Sequence, residues 1–262
     1  MRSDTQAFLL SRRLFSPGLF SVTFRAPELA RAVAPGQFVM LGIPGRIRPY
    51  LRRAYSVADA DPAAGQVEFL VKTIGAGTGA LETLPAETPV GLLGPLGNRF
   101  TVDGLPPEAR VAIVAGGIGA APFPLLLRAL AAAGVAADLY LGGRSERDLS
   151  FRGRFDGLVT GETVLATDDG SLGERGFITR VFARRAEGGV PYARLFSCGP
   201  MPMFAALAQV VAELRIPSEF STEAEMGCGF GACLACVIPG KEKPFLVSCQ
   251  EGPILPPDKI AW

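Results

Sequence analysis

The sequence predicts a β-barrel followed by an α/β domain, with a small C-terminal segment that holds most of the cysteines. Three observations lead to this fold class. Short apolar runs broken by Gly and Pro fill residues 6–102, apolar strands alternate with helices over residues 111–197, and four of the five cysteines follow residue 226. The first pattern is typical of a small antiparallel barrel or sandwich, and the second of a Rossmann-like parallel sheet. We expect domains at 1–104, 105–222 and 223–262.

Length, charge and hydropathy narrow the possible functions. A chain of 262 residues can bury two cores, and a net charge of +1 gives no reason to expect nucleic-acid or anionic-membrane binding. The most apolar window, 120–137, contains Pro122, Pro124 and Arg128, so it predicts a buried helix rather than a membrane span. The N-terminal residues lack the pattern of a secretory signal. We therefore expect a cytoplasmic protein.

The chain contains no histidine. This absence excludes the commonest general acid and base, a Rieske-type cluster and most catalytic zinc sites. Any chemistry is therefore expected from cofactors, carboxylates, lysines or thiolates.

The predicted barrel is built from short strands. Only Gly79–Leu84 has a helical pattern in this part of the chain. The expected strands are Phe20–Phe24, Phe38–Leu41, Tyr55–Val57, Val67–Lys72 and Val90–Leu93. Barrel closure is expected near Gly94–Phe100, and the Gly and Pro residues at 104–107 predict a linker.

Two short motifs in the barrel suggest a flavin nucleotide. Arg53-Ala54-Tyr55-Ser56 brings together a guanidinium that suits a pyrophosphate and an aromatic ring that suits a flavin, although an ordinary strand also explains these residues. The glycines before Thr78, with Thr78 as N-cap, predict a helix start with free N–H groups, which an ordinary capped turn explains equally well. The two motifs in one barrel favour the flavin.

The second domain begins with a strand, a glycine turn and a helix. We expect the strand at Val111–Ala115 and the helix at Ala120–Ala133, followed by strands at Ala137–Leu141, Thr163–Ala166 and Arg194–Ser197. The turn contains Gly116, Gly117 and Gly119 and departs from the G-x-G-x-x-G fingerprint. Its position after the first strand is nevertheless where a nucleotide-binding sheet holds phosphates.

Two further motifs follow strands of this domain. Asp168-Asp169-Gly170-Ser171 and Cys198-Gly199-Pro200 lie at the C-terminal ends of strands, the edge at which open α/β sheets bind ligands. The two aspartates are equally explained as turn formers, and Cys198 as an inert buried thiol.

The cysteine segment carries the most specific signal. Cys228, Cys233, Cys236 and Cys249 have the spacing C-x4-C-x2-C-x12-C, which matches the plant-type [2Fe-2S] arrangement. Gly227, Gly229 and Gly231 suit a loop that brings backbone N–H groups close to sulfur. A structural zinc site and two disulfides remain as alternatives. The segment is too small for much core of its own, so we expect the cluster to hold it together.

In this order the motifs resemble the ferredoxin-NADP reductase superfamily over essentially the whole chain. Within it the chain is similar to the electron-transfer subunits of type B dihydroorotate dehydrogenase. The residues that carry the resemblance are 223–236, Ser248–Pro253, Phe196–Met203 and Thr167–Ser171.

The resemblance implies binding residues at matching positions. The implied FAD contacts are Arg53, Ala54, Tyr55, Ser56, Leu70, Val71, Lys72, Gly77 and Thr78. Cys228, Cys233, Cys236 and Cys249 would ligate the cluster, and Cys198 would lie near the nicotinamide of NAD. The family often has Pro-Ile where this chain has Ala54-Tyr55.

The resemblance also implies a division of labour between two proteins. A separate FMN-bearing catalytic subunit would oxidise dihydroorotate, and this chain would pass the electrons through the [2Fe-2S] cluster and FAD to NAD+, in a heterotetramer of two copies of each subunit. The residues alone also fit a sulfide dehydrogenase, a hydrogenase or a ferredoxin-linked transhydrogenase as partner, or a zinc-stabilised binding subunit. Arg144 and Ser145 could touch an adenosine phosphate, but they do not distinguish NAD from NADP.

Overall fold

A computed structural model describes residues 3–43 and 50–262. Residues 1–2 and 44–49, which belong to the predicted barrel domain, lie outside the described residues. The first half of the chain forms an antiparallel sheet with the strand order β4-β3-β7-β1-β2-β6-β5. Its elements are β1 (Ser3–Ser16), β2 (Leu19–Arg25), α1 (Pro27–Ala32), β3 (Phe38–Gly42), β4 (Arg53–Ser56), β5 (Asp59–Asp61), β6 (Gln66–Lys72), α2 (Ala76–Glu82) and β7 (Pro89–Leu96). The predicted antiparallel barrel is confirmed.

Three elements of the barrel were not expected: the strand β1, the three-residue strand β5 and the helix α1. β1 is the longest strand described, but only Ala7 and Leu9 are buried, so its sequence lacks a sustained apolar alternation. The expectation of a single helical stretch was wrong, because the six-residue helix α1 follows β2. Only two of its side chains, Leu29 and Ala30, are buried, which is too short a pattern to predict a helix.

The second half forms a largely parallel sheet flanked by helices. Its elements are β8 (Arg110–Gly116), α3 (Phe123–Ala132), β9 (Ala136–Gly143), β10 (Thr163–Thr167), β11 (Glu174–Arg175), α4 (Ile178–Glu187), β12 (Arg194–Cys198), α5 (Met201–Glu213) and β13 (Ser218–Ser221). The strand order is β11-β10-β9-β8-β12-β13, with parallel pairing throughout these strands. None of the helices in the described part of the chain has the length and hydrophobicity needed to cross a bilayer.

The predicted strands of this sheet agree with the structure to within two residues, but α3 starts late. Residues Gly117–Ala120 form a 3-10 turn, and Pro122 is the N-cap of α3. Since proline has no N–H to donate and fixes its own φ, it is better tolerated at the start of a helix than inside one. The helix therefore begins at Phe123 rather than at Ala120.

The C-terminal segment packs against both preceding domains. It contains β14 (Val237–Pro239), β15 (Phe245–Val247), α6 (Ser248–Glu251) and β16 (Ile254–Leu255). β16 extends the second sheet by pairing antiparallel to β13, and Cys236 and Cys249 pack against the barrel residues Met40 and Leu96. Ile238, Leu246, Leu255 and Ile260 form a small core. Protein contacts thus support this segment in addition to any metal.

The barrel and the α/β domain share one hydrophobic core. Leu19, Leu70 and Phe100 belong to the same buried cluster as the residues of β8 and α3. The Phe100 ring stacks on Phe123 at 5.7 Å between centroids and meets Phe196 edge-on at 5.3 Å. The two domains are therefore packed together rather than joined only by a linker.

Candidate functional site

A cleft of about 860 Å³ lies where the barrel, the glycine turn and the start of the C-terminal segment meet. This volume is in the range of cofactor and ligand pockets. All the predicted FAD residues line it: Arg53, Ala54, Tyr55, Ser56, Leu70, Val71, Lys72, Gly77 and Thr78. Three motifs that are separate in sequence thus meet at one surface. A second groove, of about 720 Å³ between α5 and Trp262, contains none of the predicted site residues.

The β4 motif combines an exposed charge with a buried ring. Arg53 and Ala54 are exposed, whereas Tyr55 is buried and its ring lies 6.2 Å from the ring of Phe69 in the barrel core. Burial raises the pKa of Tyr55 to about 12, and the nearby Arg53 charge opposes this only partly. Tyr55 therefore presents a fixed, neutral aromatic surface, while Arg53 remains available to a phosphate.

Thr78 stabilises the start of α2 in a different way from the prediction. The helix begins at Ala76 with Gly75 as N-cap, so the expectation of Thr78 as N-cap was wrong. Thr78 is the third helical residue, and its Oγ1 accepts hydrogen bonds from the backbone N–H of Ile74 at 2.9 Å and of Gly75 at 3.2 Å. The N–H groups of Ala76 and Gly77 lie in the first turn, where no intrahelical acceptor exists. They fit a pyrophosphate in the cleft.

Lys72 ends β6 at the edge of the cleft and reaches the other domain. Its Nζ lies 2.8 Å from Asp148 Oδ1 in the α/β domain. Burial acts to raise the pKa of Asp148, but the hydrogen bond and charge of Lys72 outweigh this effect and lower it. The carboxylate therefore stays ionised, and Lys72 links the two domains beside the predicted flavin site.

The three predicted glycines of the 116–119 turn differ in the space around their Cα atoms. A Cβ at Gly119 would lie 2.5 Å from the carbonyl oxygen of Cys198, and a Cβ at Gly116 would lie 2.8 Å from Met203 Sδ. These two glycines let the turn approach the Cys198 loop closely. Gly117 has φ +53° and nothing within 4 Å of its Cβ position, so it is the one that faces open space. Its neighbour Ile118 lines the cleft.

Cys198 is the last residue of β12 and is buried. Burial raises the pKa of its thiol far above the ordinary value, and the charge of Glu223 acts in the same direction. The thiol is therefore protonated at neutral pH and unsuited to act as a nucleophile. Cys198 does not line the cleft, so its predicted role near the nicotinamide stays a prediction.

Residues at the end of β13 and directly after it line the cleft but were not predicted as site residues. They include Ser221, Thr222, Glu223, Glu225 and Met226. Burial raises the pKa of Glu223. The signal that could have found them is their position, because they lie at or just past the C-terminal end of a parallel strand, as Cys198 does.

The motif after β10 forms a turn. Asp169 Oδ1 accepts hydrogen bonds from the backbone N–H of Ser171 at 2.9 Å and from its hydroxyl at 2.6 Å. The Asp169 amide in turn donates to the Arg144 carbonyl at 3.2 Å. The loops after β9 and β10 are therefore adjacent at the C-terminal edge of the sheet, and the turn-forming interpretation accounts for Asp169.

The four cysteines of the C-terminal segment form two pairs. The Cys233 amide points at Cys228 Sγ at 3.4 Å, and the Cys249 amide points at Cys236 Sγ at the same distance. A [2Fe-2S] cluster with four cysteine ligands needs two thiolates on each iron. The pairing of the thiols fits this requirement.

The surroundings of the thiols also fit a cluster. Burial acts to raise the pKa of Cys228, but N–H groups of Cys233, Phe230 and Ala232 outweigh it and lower the value to about 6. Gly229 and Gly231 have φ +81° and +90°, and a Cβ at either would overlap a side chain, Met40 or Gln250 respectively. Glycine therefore allows the loop to wrap tightly.

One buried polar atom beside the cysteines has no partner within the chain. Ser248 Oγ is the only buried side-chain nitrogen or oxygen without a hydrogen bond among the described residues. Its residue lies between two predicted ligands, since Ser248 N–H donates to the Cys236 carbonyl at 2.8 Å and Cys249 follows directly. A buried hydroxyl normally has a partner, and a cluster sulfur would supply an acceptor.

The alternatives to a cluster are less consistent with this geometry. All five cysteines are free thiols, so the two-disulfide interpretation is not supported. In the described ranges, no group of three or more Cys, Asp or Glu side chains is arranged around a single metal position. Two thiol pairs suit two irons better than one tetrahedral zinc.

Three family profiles match the chain in the order of its domains. They are an oxidoreductase FAD-binding domain at residues 9–100, an oxidoreductase NAD-binding domain at 113–209 and the iron-sulfur cluster binding domain of dihydroorotate dehydrogenase B at 223–261. The predicted cofactors, FAD, NAD and a [2Fe-2S] cluster, agree with these matches.

Two relatives give the same assignment, and a solved structure shares the fold. The dihydroorotate dehydrogenase B (NAD(+)) electron transfer subunit of Desulforamulus reducens is 35% identical, covering 98% of this chain and 97% of the relative. That of Geobacillus kaustophilus is 36% identical over 93% of each. A NADH-dependent reduced ferredoxin-NADP oxidoreductase has the same fold, with a TM-score of 0.84, 22% identity and coverage of 100% of this chain and 92% of that one. The chain belongs to the family of electron transfer subunits of dihydroorotate dehydrogenase B.

Proposed function

We propose that this chain carries electrons from a dihydroorotate dehydrogenase catalytic subunit to NAD+, holding a [2Fe-2S] cluster and FAD as the carriers. The observation that supports this most strongly is the convergence of three sites on one cleft. The predicted FAD residues form one side, Ile118 of the glycine turn reaches it from the α/β domain, and Met226 reaches it two residues before Cys228. A chain that transfers electrons between three sites needs them to adjoin.

The chain's own residues bind and orient in this proposal. Arg53 and the first-turn N–H groups of α2 would hold the pyrophosphate of FAD, while the buried Tyr55 supports the wall of the cleft. The paired thiols of Cys228 with Cys233 and of Cys236 with Cys249 would each hold one iron. When bound, FAD can exchange one or two electrons and the cluster one at a time, which suits the joining of single-electron transfer to NAD+ reduction. None of these roles requires a histidine.

An exposed apolar surface beside the cysteines supports docking of the catalytic subunit. Phe230, Leu234, Val237 and Phe245 are all exposed, and we call these four residues the cysteine-loop patch. Exposed apolar clusters of this kind mark interaction sites. Cys233, between Phe230 and Leu234 in the sequence, is itself exposed, so a partner on this patch would meet the cluster directly.

Leu234 gives a further reason to expect a partner here. Its backbone has φ +54°, a conformation that is unfavourable for a bulky residue, although the same loop uses glycine at 229 and 231. The residue is 56% exposed, so burial within this chain does not explain the leucine. An apolar pocket on the catalytic subunit would explain why a leucine stands at this position.

The finer features of the assembly belong to the same proposal. We propose that the catalytic subunit carries FMN and that two copies of each subunit assemble into a heterotetramer. The domain boundaries 1–104, 105–222 and 223–262, the role of Cys198 near the nicotinamide and the cytoplasmic location stay predictions. Native mass spectrometry of the complex and cell fractionation would test the stoichiometry and the location.

The proposal is tested by reconstitution with a dihydroorotate dehydrogenase catalytic subunit under anaerobic conditions. We expect the pair to form orotate and NADH together when dihydroorotate and NAD+ are supplied, and this chain alone to leave dihydroorotate unchanged. Oxidation of dihydroorotate by the isolated chain, or a pair that cannot reduce NAD+, would contradict the proposal. Failure of the two chains to co-elute would point to a different redox partner for the same scaffold.

A further inference from the structure

An ion-pair cluster joins the barrel to the α/β domain. Arg154 Nη2 lies 2.6 Å from Asp59 Oδ2, and Arg154 Nε lies 2.9 Å from Glu68 Oε2. Arg128 Nε lies 3.0 Å from Asp59 Oδ1. Asp59 and Glu68 belong to strands β5 and β6 of the barrel, whereas both arginines belong to the other domain. We call these four residues the interdomain clamp.

The interdomain clamp differs from an ordinary surface ion pair in its burial. The side chains of Asp59, Glu68 and Arg154 are only 10%, 16% and 20% exposed. By contrast, Arg25 and Glu87, an ion pair within the barrel, are 51% and 61% exposed. Salt screens buried charges less than exposed ones. A guanidinium that binds two carboxylates is also restrained in its orientation, not only in its distance from them. The clamp therefore restrains orientation more than an exposed pair can.

A backbone hydrogen bond reinforces the interdomain clamp. The N–H of Leu125, in the first turn of α3, donates to the carbonyl of Ala58 in the barrel at 2.8 Å. The Ala58 N–H in turn donates to the Glu68 carbonyl at 2.8 Å. First-turn N–H groups have no acceptor within their own helix, so the barrel satisfies one that α3 leaves free.

Short stretches of regular structure connect the interdomain clamp to both predicted binding sites. Asp59 follows Ser56 of the FAD motif by three residues, and Glu68 lies on the same strand as Lys72 at the cleft. On the other side, Arg128 lies on α3, which begins four residues after Gly119. A displacement at the clamp is thus transmitted to both sides of the cleft.

We propose that the interdomain clamp sets the position of the flavin-binding barrel relative to the nucleotide-binding turn at residues 116–119, so that its four side chains are positioning residues for hydride transfer. This inference rests on the proposed function. The reaction concerned moves a hydride, one proton with two electrons, from reduced flavin to NAD+, leaving oxidised flavin and NADH. Such a transfer needs the reacting atoms in near-attack geometry, and a misplacement of about 1 Å can slow it about 100-fold.

The test measures hydride transfer in the reverse direction, from NADH to oxidised flavin, and separates it from NADH binding. The complex with the catalytic subunit is mixed anaerobically with NADH, and flavin bleaching is followed in a single turnover for the wild type and for Arg154→Met and Asp59→Asn. We expect the limiting rate to fall about tenfold or more, with the half-saturating NADH concentration changed less than about twofold. FAD and iron contents should be unchanged, and a deuterium isotope effect from NADH labelled at the transferred position should be fully expressed. Arg154→Lys keeps the positive charge but loses the planar guanidinium that binds two carboxylates at once. Its limiting rate should therefore lie between those of Arg154→Met and the wild type.

The control is Arg25→Met, which removes an exposed ion pair that does not cross between domains. It should bleach flavin at the wild-type rate. If Arg154→Met does not fold, Arg128→Met gives the same comparison, since that side chain is 53% exposed. Clamp variants with wild-type limiting rates and reduced thermal stability would overturn the inference. A wild-type complex whose flavin is not reduced by NADH would contradict the proposed function instead.

Discussion

Among the described residues, side chains near the cysteines lack a hydrogen-bond acceptor or a metal that they are placed to bind. Ser248 Oγ is buried without an acceptor, and the amides of Cys233 and Cys249 donate to the sulfurs of Cys228 and Cys236. An unsatisfied buried hydroxyl costs about 1–3 kcal/mol. A cluster in this position would accept a hydrogen bond from the Ser248 hydroxyl and take the cysteine thiolates as ligands, which explains both features together.

Replacement of Ser248 by alanine should change the electrochemistry of the cluster. A hydrogen bond to a cluster sulfur stabilises the reduced, more negative form, so we expect Ser248→Ala to lower the reduction potential. Redox titration followed by electron paramagnetic resonance measures this change. The matched control is Ser197→Ala, because Ser197 Oγ is also buried but already donates to the Val114 carbonyl at 2.8 Å. Equal potentials for Ser248→Ala and wild type would contradict the assigned hydrogen bond.

At the scale of secondary-structure elements, a buried carboxylate joins the beginnings of neighbouring strands. Asp138 on β9 accepts hydrogen bonds from Arg110 of β8 at 2.7 and 2.8 Å, from the Glu162 amide before β10 at 2.8 Å and from the Tyr192 hydroxyl before β12 at 2.7 Å. Burial acts to raise the pKa of Asp138, but these hydrogen bonds outweigh it and lower the value. The ionised carboxylate therefore holds four segments of the sheet together.

The lowered pKa of Asp138 predicts a loss of stability in acid. A group whose folded pKa lies below its unfolded value of about 3.9 stabilises the fold above that pH, and this contribution disappears as the pH falls through the folded pKa. We expect Asp138→Asn to lower the free energy of unfolding by about 1–3 kcal/mol at neutral pH and to make it less dependent on pH below about 4. Urea unfolding at several pH values measures both effects. The control is Asp103→Asn, in the exposed ion pair with Arg99, which should change neither the free energy of unfolding nor its pH dependence. A loss of stability equal to that of Asp138→Asn would contradict the assignment.

The sequence predicted elements well where one pattern repeats. The strands of the parallel sheet were found because both of their faces are buried, which gives continuous apolar runs. β1 was missed since few of its side chains are buried, and the role of Thr78 was misassigned because Gly75 and Thr78 can each begin a helix. Glu223 and Ser248, although they lie in segments that carry the family resemblance, were not predicted as site residues. Their environments come from packing between distant segments, which a local pattern does not contain.

For the whole molecule, the sites follow one another from the cysteine-loop patch through the cleft to the glycine turn. The patch faces solvent, the interdomain clamp fixes the two domains, and the ion pair of Lys72 with Asp148 adds a further link at the cleft. The motifs were predictable because each is local in sequence. Their convergence on one cleft depends on how the domains pack and was visible only in the fold.

Leu234→Gly separates docking from folding at the cysteine-loop patch. Glycine adopts positive φ at little cost, so we expect the variant to be as stable as the wild type or slightly more stable. Loss of the exposed side chain should nevertheless weaken binding of the catalytic subunit about tenfold or more. Thermal unfolding and titration calorimetry measure the two effects. Phe177→Gly, which removes an exposed aromatic residue from the other domain, is the control; equal weakening by both variants, or none by Leu234→Gly, would contradict the assigned surface.

The most direct test is the metal and flavin content of the chain purified without air. We predict about two iron atoms, about two acid-labile sulfides and one FAD per chain. Cys228→Ser should lose the visible absorption of the cluster and keep FAD, whereas Cys198→Ser should keep both. A wild-type chain that contains zinc and no flavin, or a Cys228→Ser variant with unchanged iron and absorption, would contradict the assignment of the four cysteines and of the cleft.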